Sequence, residues 1–295
     1  MNDIFNKIRQ LFSRGDMSAK FIYVNVGVFL VIRLTMVILT LFRVKGVYFP
    51  GYLQMPSSPM LLLYRPWTVF TYMFLHVDFL HLLFNMLWLY WFGRIFLLFF
   101  NARQLGGVYI SGGIAGAALF LAAYNLFPYF LHETGAGFLM GASASVMAIV
   151  FAVSFYQKNY EINLLLIGRI KLIYLAVATL LIDLLSITST NAGGHIAHLG
   201  GALFGILFAS RLRMGKDMTV SVNRWIDKIV NLKKRRKRNK HMKVAYKRPE
   251  TDMEYNARKR DEMQTLDAIL EKLKRSGYNS LSANEKKILF DAGKK

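Results

Sequence analysis

Four residues in this chain carry side chains that could do covalent chemistry together: Ser143, His198, His81 and Asn85. Ser143 sits in G-F-L-M-G-A-S-A-S-V-M, Gly137 to Met147, behind Gly141 and between two alanines. A serine hydroxyl is a poor nucleophile until a base takes its proton, and histidine is the usual base near neutral pH. His198 is the base that this pattern offers. Attack on an acyl carbon then needs donors aimed at the developing oxyanion. The Asn85 amide, a His81 ring nitrogen and the Ser143 backbone N–H are the candidates, and His81 and Asn85, four apart, share a helix face. Asp183 is an acid that could orient His198, but no spacing ties it to the imidazole, so the chemistry reads as a Ser–His dyad rather than a triad.

Each of these residues also has a plainer use. A helical serine can bond back to the carbonyl three or four residues before it, and polar side chains in apolar helices can simply tie helices together. Ser145 lies about 200° round a helix from Ser143 and addresses a different neighbour. Met147, one turn beyond Ser143, is placed to pack on the His198 ring. A metal site built from His76, His81, His195 and His198 lacks the carboxylate and the H-E-x-x-H spacing of a membrane metalloprotease. With no cysteine in the chain, disulfides, thiolate metal sites and a cysteine nucleophile are excluded.

The elements that must position this set are apolar. Of 295 residues 54% are hydrophobic, yet the formal net charge is +21. The two facts agree once the chain is divided into apolar residues 1–210 and a polar, basic remainder. Crossing a bilayer takes about 20 apolar residues, and six runs approach that: Phe21–Phe42, Phe79–Phe100, Leu105–Leu126, Gly137–Tyr156, Ile162–Ser186 and His195–Ala209. The first, interrupted by Arg33, is the weakest of the six. No small-residue cleavage site follows it, so it is read as a retained helix. A surface helix is expected over Ile4–Phe12. Arg43–Asp78 is a proline- and aromatic-rich connection expected at the interface, with Tyr64, Trp67 and Tyr72 as belt residues and Arg65-Pro66-Trp67 as its anchor. Gly112 and Gly116 form a small-xxx-small pair. Gly141, Gly201 and Gly205 are assigned to helix packing, bringing the sixth span against the fourth.

Six spans put both termini on one side, and the distribution of Lys and Arg makes that side cytoplasmic. The second, fourth and sixth spans then start outside, and Ser143, His198, His81 and Asn85 fall roughly 5 to 10 Å below the outer surface. The expected organisation is a cytoplasmic segment 1–20, a six-helix membrane domain 21–210, a basic juxtamembrane linker 211–250 and a small helical hairpin 251–295. The basic linker, centred on Lys233–Arg238, suits anionic lipid better than nucleic acid. In the hairpin, Met263, Leu266, Ile269, Leu270 and Leu273 form a stripe, and Ser282 with Glu285 fits a capping box.

H-V-D-F-L-H-L-L-F-N (His76 to Asn85), G-A-S-A (Gly141 to Ala144) and A-H-L-G-G-A-L-F-G (Ala197 to Gly205) together resemble the rhomboid family of intramembrane serine proteases, from about Leu61 to Ala209. The resemblance implies an all-α polytopic membrane protein with a six-transmembrane-helix bundle. It implies Ser143 as nucleophile, His198 as general base, and His81 and Asn85 at the oxyanion site. No cofactor or metal is implied, and the substrates would be transmembrane segments of other proteins. Three departures stand out. Ala144 replaces the family's usual glycine and is expected to narrow the site. Met147 stands where an aromatic is common, and Arg65-Pro66-Trp67 alters the usual Trp-Arg pair. Ile269 to Lys286 resembles a C-terminal extension of some bacterial rhomboids, which implies a multi-pass protein of the bacterial inner membrane. The alternative is a catalytically inactive, client-binding relative, although such relatives usually lack the serine or histidine. A transporter would need repeats or a polar midplane site, and neither is present.

Overall fold

A computed structural model describes residues 16–44, 46, 48–132, 135, 137–164, 168–228 and 251–293. The expected helix over Ile4–Phe12 and the Lys233–Arg238 run lie outside the described residues. The chain divides into two compact units, Met1–Arg235 and Arg236–Lys295.

The first unit is a polytopic helical membrane protein. Four of its helices are long and apolar enough to cross a bilayer: α1 (Met17–Leu41), α2 (Phe79–Phe99), α3 (Ala102–Leu126) and α6 (Ala192–Arg213). Two more apolar helices, α4 (Ser143–Tyr156) and α5 (Leu172–Leu185), have 14 residues each, about 21 Å at the helical rise. Their shortness is the main difference from the apolar pattern. Gly137–Tyr156 reads as one helix, but Phe138–Leu139 is extended and pairs antiparallel with Met55–Pro56. Ile162–Ser186 reads as one span, but Glu161–Leu164 and Gly168–Lys171 pair as a hairpin before α5 begins. Apolar content alone does not tell a buried strand from a helix. The sixth helix, in contrast, is longer than its apolar run at both ends.

Helix starts are set by capping side chains. Asp16 accepts the Ala19 N–H, Asp78 accepts the His81 N–H, and Asn101 with Gln104 forms a capping box. These satisfy N–H groups that have no partner inside the helix. α4, α5 and α6 start without such a side chain, α4 directly at Ser143.

The core is the packing of α4 between α3 and α6. Nearly all of α4 is buried. A Cβ at Gly112 would collide with Ala148 Cβ, and one at Gly116 with Ala144 Cβ. From the other side, a Cβ at Gly201 would collide with the Ala144 carbonyl oxygen and one at Gly205 with the Ala148 carbonyl oxygen. Small residues thus bring three backbones together, as helix association in lipid requires. The methyl of Ala144, expected to narrow the site, instead faces Gly116.

α2, α4 and α6 run the same way. At their C-terminal ends Arg213 donates to the Tyr156 carbonyl, and the Phe100 ring lies 4.7 Å from Tyr156 and 5.6 Å from Phe208. Their N-terminal ends, which carry His81, Ser143 and His198, therefore gather at the opposite end. The connection over residues 48–78 is folded rather than draped. Arg65 Nη1 donates to the Gly51 carbonyl at 3.0 Å and Trp67 Nε1 to the Tyr52 carbonyl at 2.8 Å. Trp67 and Tyr64 are exposed, as belt residues are, but Tyr72 is buried and its hydroxyl donates to the Gly113 carbonyl at 2.6 Å.

The second unit holds α7 (Asp252–Ser276) and α8 (Ala283–Ala292). Thr251 with Glu254 and Ser282 with Glu285 form capping boxes. Along the stripe, Ile269 is buried whereas Met263 and Leu270 are exposed.

Gly201→Ala is expected to destabilise the fold by about 1–3 kcal/mol, because the added methyl meets backbone rather than a movable side chain. Leu203→Ala, at an exposed position of the same helix, should change stability by less than about 0.5 kcal/mol. Thermal unfolding in detergent compares them, and equal midpoints would contradict the packing described. In the second unit the Glu285 carboxylate is held down to about 2, first by the Ser282 N–H and next by Lys272 Nζ at 2.9 Å. A depressed carboxylate stabilises the fold above its ordinary range and loses that contribution as pH falls toward 2. Amide protection in α8 should therefore weaken between about pH 4.5 and pH 2. In Glu285→Gln it should be weak already at neutral pH, and an unchanged pH response in that variant would refute the assignment.

Candidate active site

The site is built from the starts of α2, α4 and α6. Asp78 fixes the first turn of α2 by accepting the His81 N–H at 2.8 Å. His81 follows two residues into the helix. Asn85 lies one turn further and is buried, its Nδ2 donating to the His81 carbonyl at 2.9 Å. An amide nitrogen carries two hydrogens, so that bond leaves Asn85 one donor for another acceptor.

The approach to Ser143 is held at three consecutive points. Leu139 pairs with Met55. The Gly141 N–H donates to the Tyr72 carbonyl at 2.9 Å. The Ala142 N–H meets His76 Nε2 at 3.3 Å. His76 thereby braces the serine loop. A backbone N–H can only donate, so Nε2 is the accepting nitrogen of His76. Gly141 has φ +115°, where a side chain is strained, and a Cβ there would lie 2.6 Å from His81 Cε1. Its role is thus to pass under the His81 ring, not to pack helices as Gly201 and Gly205 do. The first intrahelical bond across the start of α4 runs from the Val146 N–H to the Ala142 carbonyl. The N–H groups of residues 143–145 precede it, so the Ser143 N–H is uncommitted within the helix and sits at its electropositive end.

Ser143, His198, His81, Asn85 and Met147 all line one cavity of about 530 Å³. Ser145 does not. It is buried, one helix face away, beside Gly113. Gly201 and Gly205 lie behind the cavity and set the spacing of its walls.

Asp183 is the residue that sequence left unattached. It is buried in the last turn of α5, and its Oδ1 lies 2.9 Å from His198 Nδ1 and 2.8 Å from His195 Nδ1. Asp183 also lines the cavity. The carboxylate missing from the sequence pattern is therefore present, and these three donor atoms lie within 4.8 Å of one another. The usable signal was the short connection over residues 186–191. It forces the last turn of α5 against the first turns of α6, where His195 and His198, three apart, share a face.

The Rhomboid domain family model matches residues 64–214, about half of the chain. A family of unknown function (DUF6576) matches residues 250–295. RHOMBOID-like protein 12, mitochondrial, of Arabidopsis thaliana is 27% identical over 158 residues, 50% of this chain and 47% of that protein. The chain therefore spans about half the length of this curated relative.

Proposed function

The chain belongs to the rhomboid family, and from that premise we propose that it is an intramembrane serine endopeptidase that cleaves transmembrane segments of other proteins. The observation that carries this reading is the meeting of Ser143, His198, His81 and Asn85, drawn from three helices, on one cavity. His198 takes the Ser143 hydroxyl proton as Oγ attacks the peptide carbonyl. The oxyanion is received by the Ser143 N–H, the remaining Asn85 hydrogen and a His81 ring nitrogen. His198 returns the proton to the leaving amine, the amide C–N bond breaks, and water entering the cavity resolves the acyl-enzyme. The roles require no cofactor.

In this reading all six apolar helices cross a bacterial inner membrane, with both termini cytoplasmic. The basic segment over residues 211–250 rests on anionic lipid. Irregular backbone such as Phe138–Ala142 is tolerated at membrane depth only where protein covers it, and the Met55–Pro56 strand supplies that cover. Single cysteines in this cysteine-free chain test the topology. Thr188→Cys should react with an impermeant maleimide from outside intact cells and Lys158→Cys should not; the reverse pattern would overturn the orientation.

The decisive experiment compares purified wild type and variants on a single-span substrate, with a fluorophosphonate probe for the nucleophile. Ser143→Ala and His198→Ala should abolish both cleavage and labelling, since an unactivated serine is a weak nucleophile. Asn85→Ala should lower the rate by about 10²–10³-fold, the scale for one oxyanion donor. Ser145→Ala should retain activity. Cleavage by Ser143→Ala at the wild-type rate would refute the assignment. A folded wild type inert on every substrate would favour the client-binding alternative.

A further inference from the structure

Asp183 is the one buried carboxylate among the described residues, and it sits on a helix that buries little else. Over α5 the buried residues are Leu172, Ala176 and Asp183. An ionised carboxylate removed from water must be paired and hydrogen-bonded to be tolerated. Its partners are both imidazoles, and both contacts fall on the same oxygen, Oδ1, at 2.8 Å and 2.9 Å. A packing role alone would be filled more cheaply by an apolar side chain at this position.

We infer that Asp183 is a positioning residue for His198, holding the imidazole hydrogen on Nδ1 so that the Nε2 lone pair faces the cavity, with His195 bracing the same carboxylate oxygen. The inference rests on the proposed protease reading and replaces its dyad with a carboxylate-oriented base. Neutral imidazole has one N–H and one lone pair, and the partner of one nitrogen decides which is which. A carboxylate oxygen only accepts, so each Nδ1 in contact with it is the protonated nitrogen. Had His198 faced a backbone N–H instead, as His76 does, its lone pair would be on the bonded nitrogen and unavailable as base. The carboxylate also lies next to the ring that becomes imidazolium when Ser143 gives up its proton, and so favours that charge where it forms. His195, on the same face of α6, donates to Asp183 from its own Nδ1 and keeps the carboxylate from rotating away.

The competing role is a tether that joins α5 to α6 and does nothing to the base. Asp183→Asn separates the two, because the amide can still tether both rings, its oxygen accepting from one and its nitrogen donating to the other, while the charge and the purely accepting contact to His198 are gone. The expected result is a fall in kcat of about 10²–10⁴-fold, on the scale seen when such a carboxylate becomes an amide in a soluble serine protease. KM should change by less than about threefold. Asp183→Glu should recover part of the loss. Nitrogen NMR of ¹⁵N-histidine-labelled protein gives a readout independent of turnover. In wild type the His198 hydrogen should reside on Nδ1, and in Asp183→Asn that preference should be lost. A folded Asp183→Asn protein that cleaves at the wild-type rate, with its His198 tautomer unchanged, would overturn the inference and leave the protease reading standing. If wild type and Ser143→Ala are equally inert, the protease reading fails instead. The tautomer comparison then decides the inference by itself: an Nδ1 hydrogen that depends on Asp183 supports it, and one that does not refutes it.

Discussion

The close approach of three backbones is the constraint on which the rest of this structure depends. In lipid the apolar tails solvate leucine as well as another helix does, so helices associate through contact and hydrogen bonding rather than through burial of apolar area. Here contact is achieved by taking side chains away. Gly112 and Gly116 on α3, and Gly201 and Gly205 on α6, each face Ala144 or Ala148 of α4. The same two alanines serve both neighbours, one through its methyl and the other through its carbonyl. α4 is therefore gripped along one register, and a slide of a single residue would set a methyl against backbone. His198 lies three residues before Gly201 on α6, and Ser143 one residue before Ala144 on α4. The glycine contacts thus fix the depth of both residues before any polar contact is made.

Polar groups inside this frame are arranged so that few are left alone. Tyr72 donates to the Gly113 carbonyl, Tyr109 to the Met73 carbonyl at 3.0 Å, and Asn25 to the Phe21 carbonyl and to Tyr109. These bonds plug the connection over residues 48–78 into the bundle, where buried backbone left unsatisfied would be costly. They also carry a positional consequence. Tyr72 is bonded through its hydroxyl to α3 and through its carbonyl to Gly141. The turn ahead of Ser143 is therefore referenced to α3, the same helix that grips α4. The Arg65 and Trp67 bonds to Gly51 and Tyr52 hold the outer part of this connection. An altered order of basic and aromatic residues thus still clamps the loop on itself.

Much of this was legible in the sequence, and what was not has identifiable causes. Six apolar runs do correspond to six apolar helices, and Ser143, His198, His81 and Asn85 do line one cavity, because glycine spacing and helix direction are properties that sequence carries openly. Helix boundaries were less legible. Phe138–Leu139 is as apolar as the helix it precedes, and only its strand partner Met55–Pro56, more than 80 residues away, makes it extended. Asp183 reads as a candidate acid but is left unattached. Its charge places it among candidate acids, but its link to His198 depends on the rotation of α5 about its own axis. The weak packing of α5 leaves little periodicity from which to read that rotation. Tyr72 reads as an interface aromatic for a similar reason. A tyrosine that has a buried carbonyl as acceptor looks, in sequence, like one that has water.

The start of α4 at Ser143, later than the apolar run suggests, has a chemical consequence of its own. A serine within a helix tends to bond back to its own carbonyls, which occupies the hydroxyl. At the first helical position that competition is weaker, and the N–H groups of the first turn have no intrahelical partner. One residue thereby offers a hydroxyl and a backbone donor at the same place, at the positive end of the helix dipole. The requirement that follows is a non-helical approach within an apolar environment. Gly141 meets it by turning at φ +115° beneath the His81 ring. Tyr72 and His76 meet it by taking up the Gly141 and Ala142 N–H groups. The short helix, the strand pair and the two bracing contacts are therefore parts of one solution, which ends a helix where its uncommitted donors can face a cavity.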